Sequence, residues 1–290
     1  MVWAPLVPEK WAANMGELAA LFLFAQHRRP EPPAYTPLHM IPTISAAAFG
    51  LEPGAETPFG PLHELPSWAS RELEVRGMNV PATMLGGATG RDFEHLRDQA
   101  DRFGCPVLVL EQRLALDLSS SDSSAGSAER MHALAAAAVR LGASHVSVAL
   151  KANDDEQSLE RVGSILREVM AEVEQHELTL MLLPHEGLTN DPDRLMALVK
   201  LVGGFRIGIQ PSIKHAIAHG GLEATMRRLA PYAASVIADD VKLIPELVEL
   251  LRGVGYENTI ALHPIRAHQL GSWKTMRETF QIALHGESDT

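Results

Sequence analysis

The segment TLMLLPHEGLTNDPDRLMALVKLVGGFRIGIQPSIKH, residues 179–215, decides the fold. Its first five residues and residues 206–210 are almost continuously apolar, as strands of a sheet covered on both faces are. Between them Asp191 is placed to cap a helix over 193–202, Pro192 occupies its first turn, and Gly203 follows its end. The segment therefore predicts one strand-helix-strand unit of a parallel sheet.

The same alternation of apolar runs and helical segments continues along the chain from residue 40. It predicts eight strands, at 40–48, 79–85, 106–111, 145–150, 179–183, 206–210, 234–238 and 259–262. Eight such units in about 250 residues are typical of one α/β domain, the (β/α)₈ or TIM barrel. We therefore predict a barrel over residues 40–290, preceded by an N-terminal arm over 1–39 that is first helical and then proline-rich.

Composition excludes several classes of partner. The formal net charge is −11 and no basic stripe is present, so a nucleic-acid partner is not expected. No apolar run reaches the roughly 18 residues of a membrane span, and no secretory cleavage site follows the apolar stretch near the N-terminus. The single cysteine, Cys105, forms no intramolecular disulfide and is expected to be a buried structural thiol. We expect a soluble cytoplasmic protein with a small-molecule ligand.

Two segments stand out between the predicted strands and their helices. Residues 118–127, LSSSDSSAGS, are predicted to be a mobile loop over the active face of the barrel. Residues 86–90, GGATG, precede a helix and can either cradle a phosphate there or only form a turn.

Several motifs in the second half of the chain match one protein family. Residues 182–187 read LLPHEG where that family has Leu-Glu-Asn-His-x-Gly, and residues 208–215 read GIQPSIKH where it has Gly-Val-x-x-Asp-x-x-His. Residues 229–232, LAPY, match its lead into strand seven, and residues 255–256, GY, match its lead into strand eight. Over residues 130–265 the chain thus resembles the xylose isomerase-like (sugar phosphate isomerase/epimerase) superfamily. The resemblance implies a TIM barrel with isomerase, epimerase or lyase chemistry.

The resemblance also implies where a divalent metal would be held. The family uses two Glu, one Asp and one His at the ends of strands five to eight, and the matching residues here are Leu183, Ser212, Ile237 and His263. Leucine and isoleucine offer no ligand atom, serine is a poor neutral ligand, and only histidine coordinates well. We therefore expect no metal and no other cofactor.

Seven polar residues near strand ends are candidates for the site. The predicted catalytic set is His263, His215, His185 and Glu111, because imidazoles titrate near neutral pH and carboxylates exchange protons. The predicted substrate-binding set is Lys151, Gln210 and Asp240. Six of them have an alternative structural role: the histidines as loop hydrogen-bonding groups, Glu111 and Lys151 as solvated strand ends, and Asp240 as a helix cap.

Three functions remain open on the sequence alone. The first is metal-independent acid/base chemistry on a sugar, polyol or related hydroxy-carbonyl compound. The second is an inactive relative, acting as a ligand-binding subunit of a catalytic partner or as a homo-oligomer. The third is a shifted metal site made by His185, His215 and His263, which would favour zinc. An inactive relative should fill the old metal position with Leu183 and Ile237, whereas an enzyme should keep a polar pocket there.

Overall fold

A computed structural model describes residues 40–50 and 57–286, so the predicted N-terminal arm lies outside the described residues. Eight strands pair in parallel in the order β6-β5-β4-β3-β2-β1-β8-β7. Their bounds are β1 Ile41–Ser45, β2 Met78–Pro81, β3 Val107–Asp117, β4 His145–Lys151, β5 Thr179–Leu183, β6 Ile207–Ile209, β7 Ser235–Ala238 and β8 Thr259–Leu262. Between β6 and β7, single bridges at Ile209–Ala233 and Ser212–Ile237 nearly close the barrel. The predicted (β/α)₈ fold is confirmed.

Helices follow the strands along the chain. Among the described residues they are α1 Leu65–Leu73, α2 Gly90–Phe103, α3 Ser121–Leu141, α4 Glu156–Gln175, α5 Pro192–Val202, α6 Ile213–Ala218, α7 Leu222–Leu229, α8 Ile244–Gly253 and α9 Leu270–His285. The carboxylate of Asp191 accepts hydrogen bonds from the backbone N–H groups of Asp193 and Arg194, at 2.8 and 3.0 Å. The helix predicted over 193–202 is thus confirmed with its cap, because Asp191 satisfies donors that the first turn leaves free.

The N-terminal strands differ most from their predicted bounds. The predicted strands 40–48 and 79–85 end early, because Ala46–Phe49 and Ala82–Leu85 form 3₁₀ turns. The strand predicted at 106–111 instead continues to Asp117, which pairs with Lys151 on β4. Glu111 is therefore in the middle of a strand, where it is buried, and its interpretation as a solvated strand end was wrong.

The serine-rich segment 118–127 is not the loop that its composition predicts. Ser120 and Ser123 cap each other's backbone N–H groups, and α3 begins at Ser121. Ser124 donates a hydrogen bond to the carbonyl oxygen of Ser120. The prediction was wrong because these serines serve as helix-capping residues, which the low-complexity composition concealed.

The strands divide their side chains between two environments. Ile44, Leu110, Leu182 and Leu262 belong to the large apolar core between the strands and the helices. Because side chains alternate along a strand, the neighbours of these residues point into the barrel. The interior face of the strands therefore decides what chemistry the barrel can hold.

Candidate functional site

Six polar side chains inside the barrel are joined by hydrogen bonds. We call them the Glu111 group: Ser45, Asn79, Glu111, Arg113, Gln210 and His263. They come from β1, β2 and β3 and from the residues that directly follow β6 and β8. The barrel topology brings them together from positions up to 218 residues apart in the sequence.

Glu111 is the centre of this group, and its side chain is 0% exposed. Its Oε1 accepts hydrogen bonds from Asn79 Nδ2 at 3.0 Å and Gln210 Nε2 at 3.1 Å. Its Oε2 accepts from Ser45 Oγ at 3.4 Å and from Arg113 Nη1 at 3.3 Å. A buried carboxylate needs such partners, because an unpaired charge in a protein interior is costly. The predicted site residues Glu111 and Gln210 are thus in direct contact.

The Glu111 group is only partly satisfied. The Oδ1 of Asn79, the Oε1 of Gln210 and the nearby Oγ of Ser147 are buried and have no hydrogen-bond partner among the described residues. A buried polar atom without a partner costs about 1–3 kcal/mol. Apolar residues at these positions would make the fold more stable, so a contribution to stability does not explain why the group is polar.

We assign a tautomer to His263 from its contact with Ser45. Ser45 Oγ lies 3.4 Å from Glu111 Oε2 and 3.2 Å from Nδ1 of His263. We assign the hydroxyl proton of Ser45 to the contact with Glu111, so that Nδ1 of His263 is the donor to Ser45 and Nε2 keeps a lone pair. Burial lowers the pKa of His263 to about 3, and the charges of Arg113 and Lys214 add to this effect. The imidazole is neutral at pH 7.

Asp239 lies beside His263 at the end of β7. The backbone N–H of His263 bonds to the carbonyl oxygen of Ala238, the residue before Asp239. The Asp239 carboxylate accepts a hydrogen bond from the backbone N–H of Lys214 at 3.0 Å, and the residue is 8% exposed. Burial raises the pKa of Asp239, and the contact with Lys214 and its charge only partly oppose this. A carboxyl group with a raised pKa exchanges protons more readily near neutral pH.

A cavity of about 660 Å³ opens next to Asp239. It lies between the ends of β7 and β8 and the start of α9, and its polar lining comprises Asp239, Asp240, Lys242, Arg266, Gln269, Ser272 and Thr275. Pro264, the residue after His263, also lines it, whereas His263 itself does not. Its volume is typical of pockets for small-molecule ligands. The buried carboxyl group of Asp239 therefore lies at the wall of a space that can hold a substrate.

Another part of the interior is apolar. We call Ala149, Leu183, Ile237 and Ala261 the apolar group; they form a cluster separate from the main core. Leu183 is 5% exposed and Ile237 is 2% exposed. Ser212 caps α6, since its Oγ accepts a hydrogen bond from the backbone N–H of His215 at 3.2 Å. Hydrocarbon and a helix cap thus occupy three of the four positions compared with metal ligands.

His215 was predicted to be catalytic, but its contacts lie outside the Glu111 group. Its Nε2 is 2.7 Å from the carbonyl oxygen of Asn190, and its ring packs against His219 with centroids 4.6 Å apart. Burial lowers the pKa of His215, and its Nδ1 is buried without a partner among the described residues. These contacts join α6 to the loop after β5, which is a structural role.

Three other predicted site residues are also held elsewhere. The backbone N–H of His185 donates a hydrogen bond to Thr189 Oγ1 within the same loop. Gly187 of this loop lies directly against the backbone of Ala152. Lys151 is 64% exposed on its side chain and lies 3.9 Å from Asp117. Asp240 caps the turn Val241–Leu243 through the backbone N–H of Lys242, as its alternative interpretation predicts, although it also lines the cavity.

Four residues of the site were missed on the sequence: Ser45, Asn79, Arg113 and Asp239. Ser45 and Asn79 lie on short strands next to the core residues Ile44 and Val80. Because side chains alternate along a strand, this position could have indicated that they face the barrel interior.

Comparison with protein families identifies the barrel. Residues 69–268 match the family model described as xylose isomerase-like TIM barrel. The chain belongs to the xylose isomerase-like TIM barrel family. The family predicted from the sequence is thus confirmed.

Solved structures of this barrel type resemble the chain in fold. D-psicose 3-epimerase from Clostridium cellulolyticum H10, crystallised with D-tagatose, is 15% identical with a TM-score of 0.68, covering 84% of this chain and 97% of that one. An L-ribulose 3-epimerase is 15% identical with a TM-score of 0.72, covering 84% and 94%. The probable 3-DHS dehydratase AsbF of petrobactin synthesis from Bacillus anthracis is 12% identical with a TM-score of 0.67, covering 83% and 99%. At such identities the likeness shows the fold alone. A search of curated protein sequences finds no match.

The residues of this xylose isomerase-like barrel do not fit the divalent metal of the family. Leu183 and Ile237 are buried against alanines and offer no ligand atoms. Within residues 40–50 and 57–286, no three His, Cys, Asp or Glu side chains are close enough to hold a metal ion. The shifted site of His185, His215 and His263 therefore gains no support from the geometry.

The other sequence features have structural roles. At the start of α2, the carboxylate of Asp92 accepts hydrogen bonds from the backbone N–H and the hydroxyl of Thr89, both at 2.7 Å, so residues 86–90 lead into a capped helix. Cys105 is buried, and burial raises the pKa of its thiol to about 12, as a structural thiol requires. None of the described helices is long and apolar enough to cross a membrane.

Proposed function

We propose that this barrel catalyses proton transfer next to the carbonyl group of a small hydroxy-carbonyl compound, a sugar or polyol derivative, without a divalent metal. Asp239 is the acid/base group, and the neutral His263 accepts a hydrogen bond from a substrate hydroxyl through Nε2. The observation that carries the proposal is the position of Asp239, whose buried carboxyl group with a raised pKa lines a cavity of about 660 Å³.

The roles of Asp239 and His263 follow from their pKa values. A base works best when its pKa is near the working pH, and a pKa of about 3 makes His263 a weak base. Its assigned tautomer instead presents a lone pair at Nε2. Asp239 has the opposite shift, so it both takes and returns a proton more easily than an exposed aspartate.

The Glu111 group supports a catalytic interpretation. It keeps a buried charge and partly unsatisfied amides inside the barrel, at a cost in stability that an apolar interior would avoid. The group orients His263 through Ser45. Such positioning is what a reaction site requires.

Solvent hydrogen exchange tests the proposal without knowledge of the natural substrate. D-fructose, D-tagatose and D-psicose are incubated with the protein in D₂O, and proton NMR follows the signals of the protons next to the carbonyl. We expect exchange with at least one ketose, and Asp239→Asn should reduce its rate by about 10²-fold or more. The matched variant Asp98→Asn, at an exposed position on α2, should exchange at the wild-type rate.

A second candidate function is favoured by one observation. Leu183 and Ile237, which match metal-ligand positions of the family, are buried in an apolar cluster, as expected for an inactive ligand-binding relative. Absence of exchange with every ketose, together with saturable binding of one of them, would favour this function over the first. Equal exchange rates for wild type and Asp239→Asn would refute the role of Asp239.

A further inference from the structure

Arg113 is the cation that the Glu111 group fixes in place. It lies two residues beyond Glu111 on β3, and its Nη1 donates to Glu111 Oε2 at 3.3 Å. The same carboxylate is held by Ser45, Asn79 and Gln210 from other parts of the barrel. The guanidinium group is therefore anchored before any ligand arrives, which lowers the entropic cost of using it.

The remaining part of the guanidinium group is accessible. The Arg113 side chain is 26% exposed, while Glu111 is 0% exposed, so the ion pair is open on the arginine side. Among the described residues, the bond to Glu111 is the one hydrogen bond that this guanidinium makes. An arginine carries five N–H donors in a planar fork, which fits two oxygens in one plane. Donors thus remain for a ligand.

The positive charge of Arg113 lies near His263, whose pKa it helps to lower. Lys214 connects this region to Asp239, because its charge acts on both His263 and Asp239 and its backbone N–H donates to the Asp239 carboxylate at 3.0 Å. In the family a divalent cation at this end of the barrel polarises the substrate carbonyl, but hydrocarbon occupies that position here. The barrel therefore has hydrocarbon at the positions matched to metal ligands and an anchored organic cation, Arg113, in its interior.

We propose that Arg113 binds the carbonyl and hydroxyl oxygens of the substrate and stabilises the enediolate formed from it, in place of the family's metal. The inference rests on the proposed function. Asp239 takes the proton from the carbon beside the carbonyl, the C–H electron pair forms a carbon–carbon double bond, and the carbonyl π electrons move to oxygen. Arg113 neutralises this oxyanion. Return of the proton from Asp239 to carbon restores the carbonyl compound, so the step needs no oxidant.

Oxalate is a suitable probe, because it is a planar anion with adjacent oxygens like an enediolate. Calorimetry would compare wild type with Arg113→Gln, Arg113→Lys and the surface control Arg227→Gln, whose side chain pairs with Glu223 on α7. We expect the control to bind as wild type does and Arg113→Gln to lose affinity by about tenfold or more. Arg113→Lys should bind with intermediate affinity, since it keeps the charge but loses the fork.

A second measurement covers the case in which Arg113→Gln fails to fold with Glu111 unpaired. In wild-type protein labelled with ¹⁵N-arginine, oxalate should shift the Nε–H resonance of Arg113. No oxalate binding, or binding that leaves both this resonance and the variants' affinities unchanged, would overturn the inference. Loss of exchange in Asp239→Asn with normal oxalate binding in Arg113→Gln would refute Arg113 alone. Normal exchange in Asp239→Asn together with loss of oxalate binding in Arg113→Gln would refute the proposed proton transfer and leave only an anion-binding site.

Discussion

The Glu111 group and the apolar group lie in the same barrel interior, yet their side chains have opposite chemistry. One contains a buried carboxylate with an arginine, two amides, a serine and a histidine; the other contains only hydrocarbon. The apolar group includes two positions compared with the family's metal ligands, while the charge lies with β1–β3. The comparison indicates that one barrel interior can carry a polar network on some strands and an apolar cluster on others.

The largest expected effect is at the centre of the polar group. Glu111→Ala leaves Arg113, Asn79 and Gln210 without their common acceptor, and the free energy of unfolding should fall by about 3–5 kcal/mol. Urea denaturation measures this, with the surface variant Glu223→Ala as control, expected to cost less than about 1 kcal/mol. A loss at Glu111 no larger than at Glu223 would show that the carboxylate is not an essential partner of the group.

A single charged residue in the apolar group should destabilise the fold, whereas a complete set of metal ligands there should bind an ion. Leu183→Glu alone should destabilise the fold by roughly 2–4 kcal/mol, because it places an unpaired carboxylate among alanines and Ile237. The quadruple variant Leu183→Glu, Ser212→Asp, Ile237→His and His263→Glu should bind manganese, since the ion neutralises the new carboxylates. Calorimetry checks the binding. A folded quadruple variant that ignores manganese would show that the strand ends no longer have the family's geometry.

A smaller effect concerns the stability of the polar group in acid. Between pH 6.5 and about 3 the unfolded chain protonates His263 while the folded chain does not, so the free energy of unfolding falls as the pH falls. His263→Gln should therefore lose less stability than wild type between pH 7 and 5, by about 2 kcal/mol. Denaturation at both pH values tests this, with exposed His95→Gln as control. Equal losses in all three proteins would mean that His263 is not buried as described.

The sequence predicted the barrel because its signals are local. Each apolar run and each cap, such as Asp191 before α5, is readable within a few residues. Glu111 and Gln210 were found because they lie near predicted strand ends. The true length of β3 was missed, since residues 112–117 mix polar and apolar side chains and pairing with β4 decides their conformation.

The rest of the site depends on contacts between distant residues. Ser45 and His263 are 218 positions apart, and no local pattern relates them. His215 has the family's position but bonds to Asn190, a partner that only the folded loop provides. The raised pKa of Asp239 likewise arises from burial, which its sequence neighbours do not reveal.

We propose that proton transfer at Asp239 proceeds without the family's divalent metal. The most direct test is ketose hydrogen exchange in D₂O by wild-type protein that has been dialysed against EDTA and then against chelating resin. The account predicts the same exchange rate before and after metal removal, and no increase when manganese is added. Loss of exchange on chelation with recovery on addition of manganese would contradict the account, because the described residues would then have to hold a metal.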